Sequence, residues 1–234
     1  MGVKELWSIL SPVCDKKSLW ELEGKTLAID LSCWVCDSSH FAGSQPNTYL
    51  RNLFFRTTYL LQLGAKPLFV LEGKAPQLKY KTIRRRLNND KGEGQQTNGK
   101  EGKVIRSRLS ALQKQCVELL SCLGVRCITA PGEAEAFCAH LNMKGLACGV
   151  VTQDSDVFLY GGTEVYRNFQ LSPGYCCDVY RTATIEERLG LTRERMVALS
   201  LLLGCDYSEG VGKVGRESAL KFVRSVPHGQ IFDR

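Results

Sequence analysis

Short apolar runs alternate with longer stretches of helical periodicity along most of this chain. The short runs predict strands at 26–31, 67–71, 125–129, 149–152, 164–169 and 178–180. The longer stretches predict helices at 50–63, 77–88 and 104–123, and a Pro-Gly pair at 131–132 opens another helix. Because strands and helices alternate, we predict an α/β fold with a twisted, mostly parallel sheet and helices on both faces.

Composition divides the chain into four regions. We predict an N-terminal α/β region at 1–88, a second α/β region at 104–183 and a helical region at 184–234. Between the first two, residues 89–103 are rich in Gly, Gln, Asn and Lys and have almost nothing to bury, so we expect this segment to be mobile.

The overall composition excludes several classes of protein. With 44% apolar and 24% charged residues among 234, the chain is neither largely disordered nor collagen-like nor a coiled coil. It has no window of 18 uncharged apolar residues, and it begins with charged residues instead of an apolar signal core, so we predict neither membrane insertion nor export. The odd count of eleven cysteines predicts reduced, buried thiols, as in the apolar runs around Cys116, Cys122, Cys138 and Cys148.

The positive charge is confined to one segment. Lys and Arg exceed Asp and Glu by 31 to 24, a net charge of +7, and residues 79–108 alone hold ten basic and three acidic residues. The other 204 residues are therefore neutral overall. A basic face is often only solvated surface, but this concentration favours a polyanionic partner.

Acidic residues follow the predicted strands, at the ends where ligands gather in open parallel sheets. Taken singly, each of these residues would ordinarily cap the helix that follows it. Seven together repel one another unless cations neutralise them, and ligands that are all oxygen select Mg²⁺ or Mn²⁺. We therefore predict a metal site formed by Asp30, Glu72, Glu133, Glu135, Asp154, Asp156 and Asp206.

Spacing predicts unequal roles within this set. Asp154 and Asp156 lie in an extended stretch and point to the same side of it. Glu133 and Glu135, in contrast, are about 200° apart on a helix. We therefore expect one of the two glutamates to bind metal directly and the other to bind it through water.

Two further features are suited to phosphate. Lys79 and Arg86 lie seven residues apart on one face of the predicted 77–88 helix, where both can hold a phosphate against the metals. The segment 210–215 (GVGKVG) matches GxGxxG, but it follows a helical run and lacks the Ser or Thr of a P-loop, which excludes both nucleotide-binding interpretations. A turn whose backbone N–H groups bind phosphate and a plain connection between helices both remain.

Six motifs occur in order along nearly the whole chain. They are MGVKELW, AIDLS, FVLEG, GEAEAFCAHL, TQDSD and GCDY. In sequence, order and spacing they resemble the flap-endonuclease and XPG superfamily of structure-selective nucleases, from Met1 to about Val223. Two more strings, LRNLFFR and VYRNF, resemble the Gen-type branch, the Holliday-junction resolvases.

The resemblance implies a PIN-like nuclease fold and a role for each motif residue. The seven carboxylates would hold two Mg²⁺ ions, with Mn²⁺ as a substitute, while Lys79 and Arg86 would steer the scissile phosphate. Segment 89–103 would correspond to a helical arch through or under which a 5′ single strand passes. The C-terminal turn would correspond to a helix-two-turn-helix that holds a K⁺ ion. Lys213 stands where a turn glycine is usual. The implied DNA contacts are Gly2, which lies near the metals in relatives, Arg84, Arg85, Gly210, Gly212, Lys213 and Gly215.

The same resemblance implies partners, location and extent. The protein would bind branched or flapped DNA without a membrane, in the nucleus or in a cytoplasmic pool, as a monomer that pairs on a four-way junction. Hydrolysis with two metals would leave a 5′ phosphate and a 3′ hydroxyl. Because relatives continue past the helix-two-turn-helix, we expect the chain to be a fragment or a shortened product.

Three functions remain in competition. The first is a Mg²⁺-dependent endonuclease that cuts Holliday junctions and 5′ flaps. The second is a flap or gap endonuclease with little junction-resolving activity, but Cys36 stands where flap endonucleases carry a base-stacking Tyr, which favours the resolvase branch. The third is a non-catalytic nucleic-acid-binding module, which would have no reason to keep all seven carboxylates.

Overall fold

The computed structural model describes residues 2–39, 47–74, 76–79, 99–171, 174–227 and 229–232, and the side chains of 36–39 and 99–110 are outside this description. Within these ranges one sheet contains seven strands. They are β1 (Asp15–Ser18), β2 (Thr26–Asp30), β3 (Lys66–Leu71), β4 (Arg126–Thr129), β5 (Gly149–Val151), β6 (Glu164–Gln170) and β7 (Cys176–Arg181).

The sheet is parallel in its larger part and antiparallel at one side. The strand order is β1-β7-β6-β5-β2-β3-β4. The pairs from β6 to β4 are parallel, whereas β7 is antiparallel to both β6 and β1. Parallel neighbours need long crossover connections, which helices supply, while a short loop suffices between β6 and β7. The predicted mostly parallel α/β sheet is confirmed.

Eight α-helices are described. They are α1 (Leu6–Leu10), α2 (Leu31–Ser39), α3 (Thr48–Gln62), α4 (Gly99–Cys122), α5 (Ala134–Met143), α6 (Thr182–Leu189), α7 (Arg193–Leu203) and α8 (Arg216–Ser225). Short 3-10 turns occur at Ser11–Val13, Leu19–Leu22, Gln77–Lys79 and Ser155–Phe158. None of the described helices is both long enough and apolar enough to span a bilayer.

The two faces of the sheet carry separate apolar cores. Strand β2 shows how this arises, because successive side chains of a strand point to opposite faces. Leu27 and Ile29 pack in one core, which includes Trp34 of α2 and Leu60 of α3. Ala28 packs in the other, with residues of α1 and α5 to α8. Helices on both faces therefore leave the strand ends as the exposed edges of the sheet.

Three elements were not anticipated from the sequence, among them helix α1 near the N-terminus. Strand β1 has the sequence DKKS and is mostly exposed, so it lacks the apolar run by which the other strands were predicted. Helix α2 begins directly after β2, at Leu31, without an intervening loop. The place of β1 follows from tertiary packing, since it pairs with β7 at the edge of the sheet.

The region around the predicted arch differs from expectation where it can be compared. The helix predicted at 104–123 begins earlier, at Gly99, so residues 99–103 belong to this helix, and the mobility expected for segment 89–103 stays a prediction. Residues 89–98 lie outside the described residues. Of the helix predicted at 77–88, only Gln77–Lys79 is described, as a 3-10 turn.

The cysteines are only partly as predicted. Cys116 and Cys138 are buried, but Cys122 and Cys148 are exposed, so the expectation of buried thiols is wrong for these two. Cys122 is the last residue of α4 and Cys148 precedes β5, and an apolar run ends at the surface at each point. No disulfide occurs among the described cysteines, which are all free thiols.

Candidate active site at the carboxyl edge of the sheet

Parallel strands bring the predicted carboxylates to one edge of the sheet. Asp30 is the last residue of β2, Glu72 follows β3, and Asp154 lies three residues after β5. These three strands are parallel neighbours, so their carboxyl ends point the same way. The other predicted acids are at the start of α5, in the turn after β5 and just after α7. Six of the seven are between 3% and 7% exposed: Asp30, Glu133, Glu135, Asp154, Asp156 and Asp206.

The centre of this group is a triad of carboxylates. Glu135, Asp154 and Asp156 each place an oxygen within 4.8 Å of the other two. Glu135 Oε1 and Asp156 Oδ1 are buried and have no hydrogen-bond partner among the described residues. Buried polar atoms ordinarily have partners. An all-oxygen donor set with unpaired oxygens is the arrangement that fits a hard divalent cation.

Burial and mutual repulsion raise the pKa values of the triad. Burial, followed by the charges of Asp154 and Asp156, raises the pKa of Glu135 well above its ordinary value. Burial, followed by Asp154 and Asp206, raises the pKa of Asp156 to about 7. The pKa of Asp154 is raised as well, mainly by burial. The charged forms are therefore unfavourable here until a cation is added.

Asp30 and Glu72 are held by helix starts. Asp30 Oδ1 accepts hydrogen bonds from the N–H groups of Ser32 (2.8 Å) and Cys33 (3.3 Å) in the first turn of α2. Glu72 Oε2 accepts one from the N–H of Ala134 (2.9 Å), the first residue of α5. Burial nevertheless raises the pKa of both carboxyl groups. Each residue thus combines the capping role that a single acid would have with a place in the cluster.

Lys79 lies among the carboxylates instead of facing solvent. Its Nζ contacts Glu133 Oε1 and lies 3.1 Å from Asp206 Oδ2. Burial opposes its charge, but the hydrogen bond and charge of Glu133, with those of Asp206, raise its pKa. Its charge also lowers the pKa values of Glu135 and Asp156 from what burial would make them. Lys79 is therefore a tethered cation inside the site.

Two tyrosines that the sequence analysis missed complete the surroundings of Glu133. The hydroxyl of Tyr160 donates to Glu133 Oε2 at 2.6 Å, and the hydroxyl of Tyr207 donates to the same oxygen. Burial alone would raise the pKa of Glu133, but the hydrogen bonds from Lys79 and the tyrosines lower it. Tyr160 is four residues after Asp156 and Tyr207 directly follows Asp206, which is the signal that could have found them.

The N-terminus packs against the loop that carries Asp154. A Cβ atom on Gly2 would lie 2.1 Å from Asp154 Oδ1, and Gly2 has a φ of +88°. The N–H of Val3 donates to Ser155 Oγ (3.0 Å), and Trp7 Nε1 donates to the carbonyl oxygen of Gln153 (3.0 Å). Only glycine fits at position 2, so the second residue of the chain is part of the site's wall.

The Gly-rich segment is a turn between α7 and α8. A Cβ atom on Gly210 would lie 2.8 Å from the backbone of Gly204, so this glycine permits close packing on the end of α7. Gly215 is the N-cap of α8, and Gly212 has open space around it. Lys213 is exposed and has a φ of +64°, the region that favours glycine. The helix, turn and helix are as predicted, and a phosphate or K⁺ role stays a prediction.

The rest of the predicted basic helix cannot be compared. Arg84, Arg85 and Arg86 lie outside the described residues, so the pairing of Lys79 with Arg86 on one helical face stays a prediction.

Comparison with known proteins agrees with this geometry. Residues 1–93 match the XPG N-terminal domain, and residues 124–206 match the XPG I-region. The chain belongs to the XPG superfamily. It is 41% identical over 252 residues to a protein named "Flap endonuclease GEN" from Drosophila melanogaster, covering 100% of this chain and 35% of that protein. The relatives therefore place the chain in the Gen branch of the superfamily.

Solved structures of nucleases have the same fold. The catalytic core of Rad2 in complex with a DNA substrate is 35% identical, with a TM-score of 0.80, over 96% of this chain and 69% of that one. Human GEN1 in complex with Holliday junction DNA is 42% identical, with a TM-score of 0.79, over 95% of this chain and 55% of that one.

Metal ions occur in the solved structure of a further relative. A structure of the Holliday junction-resolving enzyme GEN1 holds product DNA, Mg²⁺ and Mn²⁺, at 25% identity and a TM-score of 0.69, over 95% of this chain and 50% of that one. Against the full-length GEN protein of Drosophila melanogaster, this chain spans about a third of the length, 35%.

Proposed function

We propose that this chain is the nuclease region of a Mg²⁺-dependent, structure-selective DNA endonuclease of the Gen type, which cuts Holliday junctions and 5′ flaps in recombination and repair. The observation that carries the proposal is the convergence of seven carboxylates on one edge of the sheet, with Lys79 among them. The names of the relatives support the class of substrate: GEN proteins are named flap endonucleases, and one is solved with Holliday junction DNA.

The carboxylates suit a pair of divalent ions. Glu135, Asp154 and Asp156 would bind metal directly, since two of their oxygens lack any other partner in the described structure. Glu133 would act through water, because both of its oxygens already accept hydrogen bonds. Asp30, Glu72 and Asp206 would complete the set. Bound Mg²⁺ supplies a water of lowered pKa and stabilises negative charge on the leaving oxygen.

The chain's own residues would handle the phosphate. Lys79 presents an ammonium beside the carboxylates, and we propose that it contacts the scissile phosphate together with Arg86. Gly2 lacks a side chain where the N-terminus packs closely against Asp154, and we propose that its backbone lines the path of the DNA strand. The products would be a 5′ phosphate and a 3′ hydroxyl.

Contacts with duplex DNA are proposed for residues away from the cluster. These are Arg84, Arg85 and the turn residues Gly210, Gly212, Lys213 and Gly215, with K⁺ as a candidate ion at the turn. Phosphate contacts of this kind bind without reading sequence, so affinity should fall steeply as salt rises. Since two symmetric cuts need two copies, we propose a monomer that pairs on a four-way junction. We also propose that the protein acts in the nucleus.

An incision assay tests this function. A 5′ flap, a nicked junction and an intact four-way junction are each incubated with the protein in Mg²⁺ or in Ca²⁺. We expect cleavage in Mg²⁺ only, and paired symmetric nicks in the intact junction. Cleavage of flaps without nicking of intact junctions would select the flap-endonuclease alternative.

The matched variants are Asp30→Asn at the site and Asp15→Asn on the exposed edge strand β1. We expect Asp30→Asn to abolish cleavage and keep DNA binding in Ca²⁺, while Asp15→Asn cleaves like the wild type. Equal cleavage by both variants would exclude the proposed site, and DNA binding without cleavage by the wild type would leave the non-catalytic module.

A further inference from the structure

Glu133 joins four separate segments of the chain. It is the N-cap residue of α5, and its carboxylate accepts hydrogen bonds from Lys79, Tyr160 and Tyr207. The two hydroxyls also lie 3.0 Å from each other. Oxygen Oε2 is therefore occupied by the tyrosines, and Oε1 is left to Lys79.

Each tyrosine is attached rigidly to a turn that carries a candidate metal ligand. The N–H of Tyr160 donates to the carbonyl oxygen of Asp156 (3.1 Å), in the turn that follows Asp154. Tyr207 directly follows Asp206, inside a tight turn closed by backbone hydrogen bonds between Cys205 and Ser208. The backbone hydrogen bonds of these turns fix the point from which each tyrosine side chain extends, and this limits where its hydroxyl can lie.

Both phenols act as donors to one carboxylate oxygen. A carboxylate can only accept and a phenol hydroxyl carries a proton to donate, so Glu133 Oε2 is the acceptor of both hydrogen bonds.

Lys79 gains most from a fixed acceptor. A lysine side chain has several rotatable bonds and loses rotamer freedom when it is held in one place. The Lys79 side chain is 17% exposed, and its ammonium lies between Glu133 and Asp206. Rotation of Glu133 would remove one of the two acceptors that hold the ammonium.

We propose that Tyr160 and Tyr207 are positioning residues that clamp Glu133, so that Glu133 holds the Lys79 ammonium at the place where the phosphate must bind. The inference rests on the proposed nuclease function for its consequence in catalysis. The clamp itself is a property of the protein alone and can be measured without DNA or metal.

A second cluster of the same chemistry provides the control. At the opposite edge of the sheet, the hydroxyl of Tyr166 donates to Glu164 and accepts a hydrogen bond from Lys25 Nζ at 2.9 Å. Tyr166→Phe therefore removes one hydroxyl from a Tyr-Glu-Lys group that has no proposed part in the reaction.

The first measurement is NMR of the lysine ammonium groups in the metal-free protein labelled with ¹⁵N-lysine. Lys79→Met identifies the Lys79 signal, whose protons should exchange slowly with water in the wild type. We expect this signal to broaden or vanish in Tyr160→Phe and in Tyr160→Phe/Tyr207→Phe, and to persist in Tyr166→Phe. An unchanged Lys79 signal in the double variant would overturn the clamp, whether or not the protein cuts DNA.

The second measurement is single-turnover cleavage at saturating Mg²⁺, with DNA affinity determined in Ca²⁺. The hydrogen bonds removed in the double variant are to a charged group. We therefore expect the cleavage rate to fall by about tenfold or more, with DNA affinity unchanged. In a Lys79→Met background the same tyrosine changes should have no further effect, because their action passes through Lys79. If the tyrosine changes lowered the rate by the same factor with and without Lys79, the inference would be contradicted, because tyrosines with a purely structural role would act independently of Lys79.

Discussion

Acidic residues at the two edges of the sheet mostly have pKa values shifted in opposite directions. At the amino edge, Glu164 accepts from Tyr166 and pairs with Lys25 at 3.5 Å and with Arg181 at 2.9 Å. Burial would raise the pKa of Glu164, but these partners lower it. At the carboxyl edge, seven acids surround Lys79, and the pKa values of Asp30, Glu72, Glu135, Asp154 and Asp156 are raised.

The difference lies in the ratio of cations to carboxylates and not in the kind of residue. Both edges contain a Tyr-Glu-Lys group, and in both the glutamate is stabilised as an anion. At the amino edge Glu164 pairs with Lys25 and Arg181, so its charge is satisfied within the protein. The carboxyl edge has an excess of buried negative charge, which only cations from solution can relieve. We therefore propose the unbalanced edge as the functional one.

The largest expected effect is on the rate of DNA cleavage. Asp156→Asn should lower the single-turnover rate by about a thousandfold or more, because metal-based stabilisation of charge contributes several kcal/mol to the barrier. Glu164→Gln should change the rate by less than about threefold, because it alters the balanced edge. The measurement is cleavage of a labelled 5′ flap in Mg²⁺, after equal DNA binding has been established in Ca²⁺. Comparable losses in the two variants would remove the distinction between the edges.

A smaller effect of opposite sign is expected on stability in EDTA at pH 7.5. Asp156→Asn removes a repelling buried charge and should raise the free energy of unfolding by about 1 to 3 kcal/mol. Glu164→Gln removes the partner of Lys25 and Arg181, and for such half-exposed pairs a loss of about 1 kcal/mol is expected. Thermal unfolding with and without Ca²⁺ checks this, since Ca²⁺ should stabilise the wild type more than Asp156→Asn.

The pH dependence separates the same two residues. The pKa of Asp156 is raised from 3.8 to about 7 on folding, so the folded state holds a proton that the unfolded chain releases. Its contribution to stability is therefore present at pH below about 4 and is lost as the pH rises to about 7. The pKa of Glu164 is lowered from 4.5, so its contribution is present above that pH and is lost as the pH falls below it. The measurement is the free energy of unfolding in EDTA as a function of pH. The same pH dependence in the wild type and in Asp156→Asn would contradict this assignment.

The smallest effect concerns two glycines with similar backbone strain. Gly2 and Gly24 have φ values of +88° and +73°, so the backbone strain of an alanine at either position should cost about 1 kcal/mol of stability. A Cβ atom on Gly24 meets nothing within 4 Å, whereas one on Gly2 would overlap Asp154. Gly2→Ala should therefore slow cleavage by about tenfold, as expected from displacing a catalytic group, while Gly24→Ala leaves it unchanged. Equal rates in the two variants would show that the N-terminus is not part of the site.

Several parts of the site could be predicted because they follow from local pattern. A strand such as β2 that ends in Asp30 must present that acid at the carboxyl edge, and parallel pairing with β3 brings Glu72 to the same edge. The Asp154 and Asp156 pair follows from the turn after β5 in the same way. The edge strand β1 and the exposed thiols of Cys122 and Cys148 could not be predicted, because their environments depend on which elements pack around them.

The α/β alternation, the acids at the strand ends and the superfamily follow from the amino-acid sequence, because apolar periodicity and short ordered motifs are local properties. The different surroundings of the individual acids arise from the packing of the fold. It placed Lys79 on Glu133 and Asp206, brought Tyr160 and Tyr207 from distant turns onto one oxygen, and left Glu135 and Asp156 with unpaired oxygens. Hydrogen bonds between residues far apart in the chain depend on packing in three dimensions, and no spacing along the chain encodes them.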